Sequence, residues 1–146
     1  MKRMGLAAIM AVLLLTSGCL IESSPVYYVL FEEKPDLDDQ LVYARGIQIG
    51  RIMSDALGES DVVEVKVSIT KKYSDRIKEN VVFVVDDGKL ELDAIGETGA
   101  PLPENSRILG FESTTALAWF KTKNKFKEIS DQASNKLDEL YRKMKE

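Results

Sequence analysis

Histidine is absent from this chain of 146 residues, and cysteine occurs once. Without imidazole there is no ordinary general base for a serine or cysteine nucleophile. A zinc site would have to be assembled from carboxylates alone. A single thiol closes no internal disulfide, so no covalent staple holds the fold. The glycines form neither a strand–GxxxxGK–helix unit nor a dinucleotide fingerprint. Acids outnumber bases, with a formal net charge of −4, which disfavours a nucleic-acid partner. Two acidic pairs, Asp38-Asp39 and Asp86-Asp87, sit in turn clusters, where carboxylates ordinarily hydrogen-bond local backbone or meet water. These absences argue against an enzyme, and no cofactor, no metal and no nucleic acid are expected.

Long uncharged runs are equally scarce, and the one present is at the start. Lys2 and Arg3 precede an apolar stretch from Met4 to Leu15, then Thr16-Ser17-Gly18 and the lone Cys19. A positive head, an apolar middle and small residues at the cut make a secretory signal. With cysteine directly after the small residues it resembles a bacterial lipobox. The resemblance implies cleavage that leaves Cys19 as a lipidated first residue. The expected organisation is a signal peptide over 1–18, a lipidated linker over 19–25, a β domain over 26–111 and a helix over 113–146. The other reading is an uncleaved anchor, since Met4 to Ile21 is free of charge and a span needs about 20 residues. Both readings tether the remaining chain to a membrane, on the outer side of the cytoplasm.

Beyond Pro25 the hydrophobic period is two. In 62–70 Val63, Val65, Val67 and Ile69 alternate with Glu64, Lys66 and Ser68, the mark of a strand with one buried face. Further strands are predicted at 26–32, 40–45, 46–56, 80–85, 89–95 and 107–111, separated by turn residues such as Asp86-Asp87-Gly88. Seven short strands at this spacing predict a mainly β chain, a small β-barrel or sandwich. From Ser113 onward there is neither Gly nor Pro, and Ser113 or Thr114 is the expected N-cap. Trp119, Phe126, Ala133 and Leu140 recur every heptad, with Ile129, Leu137 and Met144 near the same stripe. One amphipathic helix of about 30 residues is expected. Its apolar face is read as meeting a second copy or another partner; the alternative lays it back over the sheet.

The segment Gly46-Ile47-Gln48-Ile49-Gly50-Arg51-Ile52 resembles the G-V-x-V-G-x-V stretch of the mammalian cell entry (MCE) family, of the MlaD-like type. Residues 63–85 and 100–108 resemble that family's later elements, so the likeness covers about 26–110. Ile47 and Ile49 share a strand face. Ile52 falls on the opposite parity unless a bulge intervenes, and Gly50 is a residue type that permits one. The resemblance implies a seven-stranded barrel, assembly into a homo-oligomer (usually a hexameric ring), and passage of phospholipid or another hydrophobic molecule between membranes. It further implies docking on an ABC-type permease and ATPase in the cell envelope. The chain would face the periplasm, with the inner membrane favoured over the outer. By position the family's pore loop falls on 86–94, with Gly88, Lys89, Leu90, Glu91 and Leu92 as lipid-contact candidates. Lys89 and Glu91 depart from the apolar residues expected there, and a plain hairpin is the alternative. The alternative function is a non-conducting periplasmic lipoprotein that holds envelope partners.

Overall fold

The computed structural model describes residues 24–57, 61–96, 99–123 and 129–145. The lipidation candidate Cys19 and the helix residue Phe126 therefore lie outside the described residues. All seven expected strands form: β1 Val26–Phe31, β2 Leu41–Ala44, β3 Ile47–Leu57, β4 Val63–Ile69, β5 Val81–Asp86, β6 Lys89–Ala94 and β7 Arg107–Phe111. They close into a mixed barrel in the order β1-β4-β3-β2-β6-β5-β7. Closure removes the free edges that would otherwise template aggregation.

Pairing is antiparallel for β1–β4, β2–β3, β3–β4 and β5–β6, and parallel for β1–β7, β2–β6 and β5–β7. Strands β1, β3, β5 and β7 thus start at one end of the barrel, here the entry end, where the chain arrives from Pro25. At that end Ile69 N–H donates to the Pro25 carbonyl and Thr70 N–H to the Ile49 carbonyl. A 3₁₀ turn, Lys71–Arg76, then crosses the entry end between β4 and β5.

Alternation of side chains builds two cores. The inner one takes Val29, Phe31, Val42, Ile49, Phe83, Leu90 and Ile108, with the four inward residues of β4, so every strand contributes to the barrel interior. The outer one lies on the far side of three strands. Leu30, Val82, Val84, Leu109 and Phe111 meet Leu117, Phe120, Ile129, Ala133 and Leu140.

These last residues belong to two helices, α1 Thr114–Lys123 and α2 Ile129–Lys145. Ser113 Oγ caps α1 by accepting from Ala116 N–H at 3.0 Å. The helical tail predicted by the periodicity is present, and it folds back over the barrel wall: α1 lies on β5 and β7, α2 on β7 and β1. Phe111 and Phe120 stack at 5.1 Å between centroids, and Lys136 Nζ bonds Glu32 at 3.1 Å. Among the described residues, both cores draw on side chains within 27–144.

Candidate functional site

The family-like segment occupies the β2–β3 hairpin. Arg45 (φ 50°) and Gly46 (φ 78°) make its two-residue turn, both left-handed, as the mirror-image type I turn requires. Along β3 the register advances by one extra residue at Ile49, since Val42 faces Gly50 while Tyr43 faces Gln48. A second extra residue falls at Met53, between Ile52↔Val67 and Ser54↔Lys66. The first bulge resolves the parity conflict noted in the sequence: Ile49 is buried in the inner core and Ile52 packs against the same core. Gly50 sits where a Cβ would strike the Ser68 carbonyl and the Ile69 backbone. Ile47, at the tip, is 52% exposed.

The pore-loop candidates occupy the β5–β6 hairpin. Asp87 (φ 50°) and Gly88 (φ 75°) form a turn of the same kind, and Asp86 pairs with Lys89. Asp38 N–H donates to the Gly88 carbonyl at 2.8 Å, which ties the β1–β2 loop to this turn. Leu90 is fully buried in the inner core, and Leu92 packs partly against it. Lys89 is exposed with its Nζ 5.3 Å from the Tyr43 ring centroid, and Glu91 is half-buried on the outer wall. The segment therefore has the hairpin geometry given above as the alternative, and Leu90 faces the barrel's own interior.

Asp39 organises the neighbouring loop. Its carboxylate accepts from Leu41 N–H at 3.0 Å and from the Tyr43 hydroxyl at 2.8 Å. That hydrogen bond, then partial burial and the Asp39 charge, raise the Tyr43 hydroxyl above its ordinary range. Burial, aided by the charge of Glu104, raises Tyr27 similarly. The Asp39 carboxylate thus bonds local groups, and among the described residues no three acid or cysteine side chains gather closely enough to hold a metal ion.

The helix face drawn from the heptad stripe divides. Ile129, Ala133 and Leu140 are buried in the outer core, with Leu137 and Met144 against it, so these residues lie on the chain's own barrel. Trp119 is 70% exposed. The phase of α1 differs from the stripe and turns Leu117 and Phe120 inward instead. On α2, a hydrogen bond from Lys145 and the Arg107 guanidinium 3.9 Å above the ring hold the Tyr141 hydroxyl below its usual value. Lys143, 3.0 Å from Glu139, lowers that carboxyl.

Two features escaped the reading of residue types. The basic turn Lys71–Arg76 covers the entry end, and its signal was the Lys-Lys-Tyr cluster directly after the cleanest strand. Asn80 is buried, its amide donating to the Gly96 carbonyl at 2.8 Å, and nothing in its flanking sequence marks it.

No family model matches this sequence, and no curated protein does. Among solved structures the chain is similar to one from the Acinetobacter MlaFEDB complex in an ATP-bound conformation termed Vtrans1. That likeness has a TM-score of 0.48 at 14% identity, over 68% of this chain and 80% of the other. Among the described residues no helix is long and apolar enough to cross a membrane.

Proposed function

We propose that this chain is a membrane-tethered, MCE-type envelope protein that binds phospholipid or another hydrophobic molecule as a subunit of a lipid-transport system with an ABC permease and ATPase. The observation that carries the reading is the closure of the strands within 26–111 into one seven-stranded barrel, with the Gly46–Ile52 segment bulged into its wall and Gly50 pressed on β4. The tether is Cys19, and the chain performs no catalytic step of its own. Copies assemble into a closed oligomer, a hexamer on the family pattern, facing the periplasm at the inner membrane.

Native mass spectrometry of the chain, purified from a bacterial host without denaturant, tests this. A closed oligomer carrying phospholipid mass is the expected result, and a lipid-free monomer would remove the conduit. Cys19→Ala should remove the lipid and block the cleavage before residue 19, so the mass of the protein should change by both. A mass altered by the substitution alone would sink the lipid anchor.

The second reading, a non-conducting lipoprotein that holds envelope partners, is favoured by one specific feature. The β5–β6 hairpin closes tightly and points Leu90 into its own barrel, so this hairpin offers little apolar surface to a conduit.

A further inference from the structure

The two ends of the barrel differ in charge. At the far end, where β1, β5 and β7 finish, stand Glu32, Asp36, Asp38, Asp39, Asp86 and Asp87, with Lys34 and Lys89 among them. Among the described residues the entry end has the opposite balance: Arg45, Lys71, Lys72, Arg76, Lys78 and Arg107, against Asp75, Glu79, Asp93 and Glu104. Lys72 Nζ lies 5.4 Å and the Arg76 guanidinium 5.9 Å from the centroid of Tyr73, which itself packs on the inner core, so these cations are held at the surface by a ring fixed to the fold. Ile47 protrudes at the same end, since the β2–β3 hairpin runs past the last β3–β4 pair, Gly50↔Ile69. A dipole of this kind is laid out in a chain whose formal net charge is −4, so the basic end is not a by-product of a basic composition.

From this we infer that the barrel seats its entry end on an anionic bilayer, with the Lys71–Arg76 turn on lipid phosphates and Ile47 dipping into the headgroup layer. Juxtamembrane lysine and arginine are attracted to the negative surface potential of anionic lipid, and carboxylates are repelled by it. The far end is thereby pointed away from the membrane. Residues 1–23 join the fold at the entry end through Ser24 and Pro25, so a tether there holds the basic surface against lipid and the two contacts reinforce each other. The inference borrows from the proposed function only the position of the tether; the surface itself stands on the charges described.

Vesicle flotation of residues 24–146, which lack the tether and are first shown to be folded by a cooperative thermal melt, separates the two. The expected result is recovery with phosphatidylcholine vesicles containing phosphatidylglycerol, none with phosphatidylcholine alone, and loss of binding at about 0.5 M salt. K72E/R76E should weaken partition at least about ten-fold and K72Q/R76Q by less, while K34E/K89E, at the far end, leaves it unchanged. A thermal melt checks that each variant is folded, and the neutral pair keeps the test alive should the charge reversal fail to fold. Absence of binding to anionic vesicles, equal binding to both vesicle types, or full binding by folded K72Q/R76Q and K72E/R76E would each overturn the inference. None of these outcomes bears on lipidation, which the mass of the Cys19→Ala protein reads independently.

Discussion

Gly46 and Gly50 belong to one hairpin and are required for different reasons. At Gly46 the backbone is left-handed (φ 78°), yet a Cβ would meet nothing within 4 Å. Gly46→Ala should cost about 1–2 kcal/mol, the penalty for an L-residue in that conformation. At Gly50 the obstacle is the Ser68 carbonyl and the Ile69 backbone, which cannot rotate away as a side chain could. Gly50→Ala should cost roughly 3 kcal/mol, because β3 must part from β4. Denaturant titration orders the two; an equal or smaller loss at Gly50 would contradict the close approach. A second prediction concerns Tyr43, whose hydroxyl donates to Asp39. Because the folded pKa is raised, the contribution of the bond is fully present below the unfolded value of about 10 and is lost as pH climbs through the folded one. Tyr43→Phe should lower stability at neutral pH, where the bond is lost, and flatten the alkaline limb of the stability profile, as a pH series of thermal melts would reveal. At this scale the sequence exposed the need for a bulge beside Gly50, from the parity of Ile49 and Ile52, whereas the contact with Ser68 that demands glycine there depends on the pairing of β3 with β4. It did not expose the Asp39–Tyr43 bond, which depends on how the loop lies on β2.

Strands were legible as elements because burial on one face imposes a period of two, and β4 obeys it without exception. The tail was legible as helix for the same kind of reason, with a period of 3.6. Its phase was legible only in part. Ala133 and Leu140 do face inward, while the heptad step back to Trp119 crosses residues 124–128 and does not carry the phase into α1. Periodicity measures one helix against itself and carries no phase from one helix to another. The same limit applies to β6: periodicity puts Leu90 on one face without saying what that face meets, and closure of the barrel places it in the inner core. Leu90→Asn should consequently destabilise the whole barrel by several kcal/mol through an unpaired buried amide. Far-ultraviolet circular dichroism is the direct check, and a variant that keeps its strand signal and melting temperature would return Leu90 to the surface.

The molecule as a whole is two cores sharing a wall. Strands β5, β7 and β1 turn one face inward to the barrel and the other outward to α1 and α2. The inner core is ringed by hydrogen-bonded strands with no free edge. The outer core is closed by helices attached through side chains and a few ion pairs, such as Lys136–Glu32 and Lys121–Asp93, both substantially solvent-exposed and weak on their own. Opening of the helical layer therefore exposes less apolar surface than opening of the barrel, and it should occur at lower free energy. Native-state hydrogen exchange separates the two: amides of α2 should exchange through a sub-global opening while those of β4 exchange only on global unfolding. Leu140→Ala, which empties a buried position in the outer core alone, should cost about 2–4 kcal/mol of that local stability. It should speed exchange across α1 and α2 and leave β4 much less affected. Equal acceleration of β4 would mean that the helices are part of one cooperative unit with the barrel, and that the face α2 covers is never presented to another molecule without unfolding the chain.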